Sequence, residues 1–453
     1  MEEFDLIVIG SGSGLDVANA AAESGLRVAV IEKGRMGGTC LNRGCIPSKL
    51  LIHSADVAEM IRSAGQFGIN VDGFTVDFEK IINRTNSIVD SDSDRIRQAF
   101  SEIDNPKLFP HECRFVDKKT ISVGGQTIKA DKILIASGTR PAIPKIKGLE
   151  GSGFITSDEA LRLKKQPRVL TIIGGGYIAA ELAHFFGSLG TKINIIQRRD
   201  MLVPDEDEEV ARKFTDLFSK KYNVHLGYNT QSVSKSNGTF AVVAKNSSGK
   251  KIEIESDQLL VATGRVPNSD TLDLEKTGVK IDSAGFIVVD EHLETSAKGI
   301  FALGDAVGRY LFKHAANHEA QYAFHNLMHE NKKVAVDYTA MPHAIFSSPQ
   351  IAGAGYTEQE LRSKGIKYTK AIYPYIRTAM GEAIEDRDGF VKLLASSEGK
   401  ILGCHIIGSH ASILIHEVLV AMKLGAGIDA ISRTVHIHPA LSEVVARAAY
   451  AFG

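Results

Sequence analysis

The chain has few cysteines, no surplus of either charge and no long apolar run. Its 453 residues include only 4 cysteines, too few for a disulfide-held scaffold. Lys+Arg number 53 and Asp+Glu 54, so the formal net charge of -1 argues against nucleic acid as a partner. No run approaches the roughly 18 apolar residues of a membrane span, and the N-terminus lacks the positive charge of a signal peptide. We therefore expect no membrane partner and a cytoplasmic location, where idle thiols stay reduced.

Glycine, in contrast, is abundant, and it marks a pattern that occurs twice. The chain has 42 glycines, a share above the roughly 7% average. Residues 5–32 and 168–197 each read as an apolar strand, a glycine-rich turn, an alanine-rich helix and a second strand. Residues 48–101 read as a long helical region, and alternating strands followed by helices begin after about residue 340. The sequence therefore predicts an α/β fold with two Rossmann-like dinucleotide-binding domains and an α+β domain.

The first glycine turn fits most of a dinucleotide fingerprint. Gly10 and Gly12 occupy its first two positions, where a backbone without side chains can approach a pyrophosphate at a helix N-terminus. The third position is Leu15, and Gly14 beside it would relax the packing of the helix. Glu32 ends the second strand, where a carboxylate can bind ribose hydroxyls. The alternative is a purely structural strand-to-helix turn, which two copies in the same context make less favourable.

The second copy differs at the end of its second strand. Gly174 and Gly176 repeat the turn, but the carboxylate position carries Gln197, followed by Arg198 and Arg199. A carboxylate there would repel a 2′-phosphate, whereas arginines can bind one. The pattern favours NADPH over NADH, and the alternative is that both arginines are solvated surface residues.

Two of the four cysteines are close together in the sequence. Cys40 and Cys45 flank a short Gly-containing segment, and Pro47 suits the first turn of a following helix. A thiolate is stabilised near a helix N-terminus. A metal site would need a second cluster of ligands, whereas Cys113 and Cys404 are isolated, so no metal is expected. The spacing favours a redox-active disulfide over two buried spectators.

The segment around this pair resembles a known family. Residues 37–49 resemble the active-site signature of the class I flavin-dependent disulfide reductases, which include dihydrolipoamide dehydrogenase, glutathione reductase, mycothione reductase and mercuric reductase. Residues 295–305 resemble the family's second flavin motif, and residues 341–358 the entry to its dimerisation domain. Residues 436–443 resemble its acid–base motif, with Ala440 where Thr is common. The resemblance runs almost end to end.

The resemblance implies a role for each chemical group. Cys45 would be the thiol next to the flavin and Cys40 the thiol that exchanges with substrate. His438 would be the general base, oriented by Glu443, and both would come from the partner subunit, so a homodimer is expected. For His436 a structural role is favoured. An intact set of these groups argues against the alternative of a non-catalytic flavoprotein assembly subunit.

The resemblance also implies FAD and a nicotinamide nucleotide as cofactors. Lys49 and Glu181 would form an ion pair beside the flavin, as buried charges require. The predicted cofactor-binding residues are Gly10, Gly12, Gly14, Glu32, Lys33, Gly38, Thr39, Lys49, Ser137, Gly138, Gly304, Asp305, Ala315, Ala316, Gly174, Gly176, Tyr177, Ile178, Gln197, Arg198, Arg199 and Gly264.

The resemblance gives domain limits and a class of substrate. The FAD-binding domain would comprise residues 1–147 and 268–339, the NAD(P)-binding domain 148–267, and the dimerisation domain 340–453. The expected substrate is a small-molecule disulfide or dithiol. Residues 176–186 and 312–320 look closest to mycothione reductases, a glutathione-reductase-like enzyme remains the alternative, and the two cysteines expected near the C-terminus of mercuric reductases are absent from the sequence.

Overall fold

The computed structural model describes residues 1–452, so the last residue of the predicted dimerisation domain lies outside it. The strands, β1 to β21 in chain order, are Glu2–Ile9, Val28–Ile31, Lys107–Phe109, Cys113–Asp117, Thr120–Val123, Gln126–Ile135, Thr139–Pro141, Val169–Ile173, Lys192–Gln197, Asn223–Leu226, Tyr228–Ser236, Thr239–Asn246, Lys251–Ser256, Gln258–Val261, Arg265–Pro267, Ile300–Ala302, Pro342–Ile345, Gln350–Gly355, Thr369–Pro374, Phe390–Ala395 and Ile401–Gly408. The helices, α1 to α13, are Gly14–Glu23, Gly38–Arg43, Cys45–Ser63, Phe78–Ser101, Ser157–Ala160, Tyr177–Ser188, Glu208–Lys221, Lys313–Met328, Glu358–Ser363, Ala379–Ala383, Ala411–Lys423, Ile428–Ser432 and Glu443–Tyr450.

The first of two compact units consists of residues 1–50, 79–142 and 264–337. Its main sheet has the strand order β3-β2-β1-β6-β5-β4, with β16 also paired to β6. Strands β1, β2, β3, β6 and β16 run parallel to one another. Crossovers between parallel strands place helices on the sheet faces, which explains why these strands are short apolar runs rather than alternating ones.

Strand β1 shows how the sheet divides the apolar core of this unit. Leu6 and Val8 belong to one buried cluster, and Ile7 and Ile9 belong to another. Successive side chains of a strand point to opposite faces, so an uninterrupted apolar run serves two cores at once.

The second unit consists of residues 51–78, 143–263 and the chain from residue 338 onward. Its parallel sheet has the order β10-β9-β8-β14, and strands β11, β12 and β13 form an antiparallel sheet. A five-stranded antiparallel sheet, β17-β18-β21-β20-β19, carries α11 and α13. The predicted fold class, two dinucleotide-binding units and an α+β domain, is confirmed. The predicted domain limits stay a prediction.

The helical region expected over residues 48–101 is interrupted. Helix α3 ends at Ser63, a short 3-10 helix ends at Phe67, and α4 begins at Phe78. Gly68 follows the 3-10 helix and has a positive φ angle of 78°, which ends a right-handed helix. Among residues 1–452, no helix combines the length and the apolar character that a membrane crossing needs.

Candidate active site

The first glycine turn leaves open space at the place where its backbone is expected to contact a ligand. Gly10 has φ of +106°, and a Cβ there would lie 2.3 Å from the carbonyl oxygen of Ala136. A Cβ on Gly12 would meet no atom within 4 Å. A Cβ on Gly14 would lie 2.8 Å from a methyl of Val8, so this glycine supplies the close helix–strand packing that the fingerprint assigns to its third position.

Glu32 braces this turn from the end of β2. Its Oε2 accepts hydrogen bonds from the Ser11 backbone N–H at 3.0 Å and from the Ser11 hydroxyl at 2.7 Å. Its Oε1 accepts from the Gly34 N–H at 2.7 Å. The carboxylate therefore lies beside the glycine turn, in the region where ribose hydroxyls would be bound.

The cysteine segment begins directly against the same turn. Gly38 is the first residue of α2, and a Cβ on it would lie 2.7 Å from the Cα of Gly12. Asn42, which is buried, donates from Nδ2 to the carbonyl oxygens of Met36 at 2.9 Å and Gly38 at 3.0 Å. The side chain of Asn42 thereby holds the entry to α2 in place.

The two cysteines come together across a glycine. Cys40 lies in α2, and Cys45 is the first residue of α3. A Cβ built on Gly44, which lies between them, would be 2.9 Å from the carbonyl oxygen of Thr39. Both cysteines are thiols, and Cys40 is hydrogen-bonded to Cys45. That hydrogen bond and burial raise the pKa of the Cys40 thiol. Pro47 lies in the first turn of α3, as expected.

Asp305 occupies a second polar cluster in the first unit. It lies in a 3-10 turn, and its Oδ2 accepts from the Thr139 hydroxyl at 2.9 Å. Arg265 donates from Nε to the same hydroxyl at 2.7 Å, and its Nε is 4.0 Å from the carboxylate. Burial raises the pKa of Asp305, although Thr139 and Arg265 both oppose the shift. The Gly304 N–H donates to the buried Glu319 at 2.6 Å, which fixes the turn.

These residues fit a flavin dinucleotide. The hydroxyl of Ser137 is buried and has no hydrogen-bond partner among residues 1–452. A Cβ on Gly138 or on Gly264 would meet nothing within 4 Å. Buried Ala315 and Ala316 lie at the start of α8. A bound ligand would supply the missing hydrogen-bond partner of the Ser137 hydroxyl, and the two glycines leave space for it beside the backbone.

The other residues predicted near this cofactor are placed on the elements that flank the turn. Thr39 lies in α2, and Lys49 lies in the second turn of α3. Lys33 forms an exposed ion pair with Glu112 at 3.1 Å.

The second glycine turn repeats the geometry of the first within the second unit. Gly174 has φ of +118°, and a Cβ there would lie 2.1 Å from the carbonyl oxygen of Ala262. A Cβ on Gly176 would meet nothing within 4 Å. Helix α6 begins at Tyr177 and Ile178, so its N-terminal N–H groups point toward this open space.

At the end of β9, Gln197 holds the following turn and Arg198 carries an exposed positive charge. Gln197 accepts from the Arg198 N–H at 2.8 Å and donates to the Met201 carbonyl at 3.3 Å, so its side chain holds the following turn. Arg199 pairs with Asp205 at 3.2 Å. Arg198 is exposed and makes no ion pair with any described residue.

The C-terminal histidine motif contains a histidine that is hydrogen-bonded to a carboxylate. His438 Nδ1 lies 3.0 Å from Glu443 Oε1, and Glu443 Oε2 accepts from the Ala440 N–H at 3.2 Å. The hydrogen bond from His438 lowers the pKa of Glu443. His436 forms a separate pair, with Nε2 at 2.9 Å from Glu417. His438, whose side chain is 70% exposed, is the more accessible of the two.

Glu181 is buried within α6. Its Oε1 accepts from the Phe346 N–H at 3.0 Å. The ion pair between Lys49 and Glu181 stays a prediction.

The remaining two cysteines lie in strands. Burial raises the pKa of Cys113 in β4 to about 12 and that of Cys404 in β21 still further. Both thiols therefore stay protonated at neutral pH. Among the residues that the structure describes, no group of three or more His, Cys, Asp or Glu side chains could hold a metal ion.

The sequence analysis did not identify several residues that hold the site in place. Thr139, Arg265 and Glu319 complete the cluster at Asp305, and Asn42 holds the cysteine helix. Thr139 begins β7 and Arg265 begins β15, and each directly follows a glycine, so a polar residue after a turn glycine was the available signal. Nothing local marked Glu319.

Comparisons with known proteins cover nearly the whole chain. Residues 4–321 match the pyridine nucleotide-disulphide oxidoreductase family, and residues 341–449 match its dimerisation domain. The chain is 36% identical to mycothione reductase of Mycobacterium tuberculosis, with 99% of each chain covered. It is 34% identical to dihydrolipoyl dehydrogenase 3 of Haloarcula marismortui, over 98% of this chain and 95% of that one. The structure of the HOCl-induced flavoprotein disulfide reductase RclA from Escherichia coli, solved as a Cu(II) complex, superposes with a TM-score of 0.89 at 26% identity and 100% coverage of both chains.

Proposed function

Because the chain belongs to the pyridine nucleotide-disulphide oxidoreductase family, we propose that it reduces a low-molecular-weight disulfide with electrons from NADPH. Its general chemistry, FAD-dependent and NAD(P)H-linked disulfide oxidoreduction, follows from its relatives. The observation that carries the proposal is the hydrogen-bonded pair of Cys40 and Cys45 at the start of a helix beside the first glycine turn. FAD, when bound, carries the two electrons of a hydride from the nicotinamide to a disulfide.

The cysteines perform the exchange in two substitutions at sulfur. The Cys40 thiolate attacks one sulfur of the substrate disulfide, which forms a mixed disulfide and releases the first substrate thiolate. The Cys45 thiolate then attacks the Cys40 sulfur, which releases the second substrate thiolate and re-forms the Cys40–Cys45 disulfide. The two electrons of the cysteine pair end on the two substrate thiols.

His438 supplies and removes the protons of these steps. A carboxylate can only accept, so the Nδ1–H of His438 donates to Glu443, and Nε2 is left with the lone pair of a base. Protonated at Nε2, the imidazole gives its proton to the leaving substrate thiolate, and it regains one from the next thiol that ionises. Glu443 keeps the ring in one orientation and stabilises its charged form.

The active enzyme is proposed to be a homodimer in which His438 and Glu443 act on the cysteines of the partner subunit. The matched dimerisation domain supports this arrangement. So does a set of strongly exposed apolar side chains in the same domain, with exposed fractions from 59% to 95%. They are Ile413, Val420, Leu424, Val435 and Ile437. A monomer rarely exposes so many large apolar side chains.

NADPH is proposed as the electron donor. Gln197 brings no negative charge to the end of β9, and its side chain is occupied in holding the turn that carries Arg198. Arg198 is exposed without an ion-pair partner among residues 1–452, so its guanidinium is available to a 2′-phosphate. The similarity to a mycothione reductase supports the same choice.

The predicted cytoplasmic location is kept as part of the proposal. Cys113 and Cys404 are thiols in strands of separate sheets, where they would stay reduced in a reducing compartment.

A panel of disulfides tests the proposal. The purified holoenzyme is assayed with mycothiol-type, glutathione, bis-γ-glutamylcystine and coenzyme A disulfides and with lipoamide, each with NADPH and with NADH. We expect the largest kcat/KM for a low-molecular-weight thiol disulfide of the mycothiol type with NADPH. Cys40→Ser is the matched control, and it should keep FAD while losing turnover.

Two results would contradict the proposal. Turnover confined to lipoamide with the NAD couple would make the chain a dihydrolipoamide dehydrogenase. A colourless protein that takes up no FAD and turns over none of the panel would identify a non-catalytic subunit.

A further inference from the structure

A lysine lies against the first glycine turn. Lys313 is the first residue of α8, and its Nζ donates to the Ser13 hydroxyl at 2.9 Å. The Ser13 hydroxyl in turn donates to Asn317 Oδ1 at 2.9 Å. Ser13 is buried. The ammonium group is therefore held at one position by a buried acceptor, instead of sampling solvent as most lysine side chains do.

This position borders the helix that carries the exchange thiol. Ser13 follows Gly12, and the backbone of Gly38 packs directly on Gly12, with 2.7 Å between a built Gly38 Cβ and the Gly12 Cα. Gly38 begins α2, and Cys40 is the third residue of that helix. The Gly12–Ser13 turn thus contacts both the Lys313 ammonium and the start of the cysteine helix.

The thiol of Cys40 needs such a charge. Its hydrogen bond to Cys45 and its burial raise the pKa of Cys40, and the positive charge of Lys313 acts in the opposite direction. A protonated thiol is a poor nucleophile, because the thiolate is the attacking species. Without an opposing positive charge, the hydrogen bond to Cys45 and the burial of Cys40 would keep the attacking thiol protonated.

We infer that Lys313 is a positioning residue that keeps a fixed positive charge beside the Cys40–Cys45 pair and stabilises the thiolate needed for exchange. The inference rests on the proposed function, in which Cys40 attacks the substrate disulfide. When Cys40 gives its proton to a base, the Lys313 ammonium balances the new negative charge on sulfur. The thiolate then forms its bond to one substrate sulfur while the bond between the two substrate sulfurs breaks.

Alkylation of Cys40 measures this effect without turnover. The holoenzyme is reduced anaerobically with NADPH and treated with iodoacetamide over a range of pH, and mass spectrometry follows the Cys40 peptide. In Lys313→Met we expect the rate profile to move upward by about one pH unit, so that alkylation near neutral pH is about tenfold slower. Lys313→Arg should restore most of the rate, since it returns the charge.

Two further variants separate charge from structure. Lys313→Gln keeps a polar group able to donate to Ser13 but has no charge, so it should behave like Lys313→Met. Lys332→Met removes an exposed lysine beyond the far end of α8 and should leave the profile at the wild-type position. FAD content per chain is measured for each variant.

The outcomes that overturn the inference differ from those that overturn the proposed function. A wild-type profile in Lys313→Gln would assign the effect to the hydrogen bond, and unchanged alkylation with lost FAD in Lys313→Met would make Lys313 a flavin contact. Either result overturns the inference. Failure of NADPH to generate an alkylatable Cys40 in the wild-type holoenzyme would instead contradict the proposed function.

Discussion

At the scale of single residues, environment separates cysteines that the sequence writes with one letter. Cys45 begins a helix and contacts Cys40, whereas Cys113 and Cys404 lie in strands. Burial in an apolar sheet holds the pKa of Cys113 at about 12. A thiol in that state is a poor nucleophile at neutral pH, because the thiolate is the attacking species. The proposed redox chemistry belongs to the one pair that combines a helix start with a neighbouring sulfur.

The two histidines of the C-terminal motif differ in the same way. Both ring nitrogens of His436 face acceptors, the Thr434 carbonyl at 2.9 Å and Glu417 at 2.9 Å. His438 faces an acceptor only at Nδ1 among the hydrogen bonds described. Only His438 therefore has a nitrogen available for proton transfer.

The proposed preference for NADPH is assigned to one arginine. In Arg198→Glu, a negative charge would face the 2′-phosphate, so we expect the Kd for NADPH to rise by about one hundredfold while that for NADH changes less than about threefold. Fluorescence titration of the fully reduced holoenzyme, which NADPH and NADH cannot reduce further, measures both constants.

Its neighbour provides the matched control. Arg199 already pairs with Asp205 at 3.2 Å, so Arg199→Glu should weaken NADPH less than Arg198→Glu does. Equal losses for NADPH and NADH in Arg198→Glu would refute a 2′-phosphate contact.

At the scale of elements, each glycine turn contains two kinds of glycine. Gly10 and Gly174 are required by the fold, because their φ angles are positive and a Cβ would strike a carbonyl oxygen at 2.3 Å and 2.1 Å. Gly12 and Gly176 are not required by the fold, since a Cβ on either would meet nothing within 4 Å. Because they have no side chain, the space beside each turn stays open, and a pyrophosphate would lie in that space.

Filling that space should remove a cofactor and leave the fold. In Gly12→Val we expect FAD to be lost on desalting while the apoprotein keeps its secondary structure, because the side chain occupies open space. Gly176→Val should keep FAD and lose NADPH binding instead. Flavin absorbance per chain and NADPH titration distinguish the two variants.

Gly10→Ala shows the contrasting effect. The clash with Ala136 and the positive φ should destabilise the fold by about 1–3 kcal/mol, measured by denaturant unfolding. Retention of FAD in Gly12→Val would show that the turn does not contact a pyrophosphate.

At the scale of the whole molecule, the single chain leaves several large apolar side chains exposed to solvent. Val435 and Ile437 are 95% and 79% exposed, and they alternate with His436 and His438 along the same segment. An interface that covers these two side chains would also bring His438 to the partner. Dimerisation and catalysis would then depend on the same four residues, 435–438.

Mixed dimers test this dependence. Cys40→Ser and His438→Gln homodimers should each have little activity, because every site lacks one group. After unfolding and refolding together, half of the dimers would be mixed and each would hold one intact site. About a quarter of wild-type activity should return.

Absence of recovery would place both groups of a site on one chain. Sedimentation velocity of the mixture is the control that shows whether dimers have formed, and differently tagged chains allow mixed dimers to be isolated.

What the sequence by itself determined was local: the two glycine turns, the cysteine pair at a helix start and the His–Glu spacing. Each depends on a few neighbouring residues whose spacing sets their geometry, as the 3.0 Å contact of His438 with Glu443 illustrates. Only the tertiary structure showed the cluster of Asp305 with Thr139, 166 residues apart, and the contact of Lys313 with Ser13, 300 residues apart. Such contacts depend on the order in which strands pair and on which helix end meets which turn. No local pattern encodes that order, because it is the packing of the whole unit that selects it.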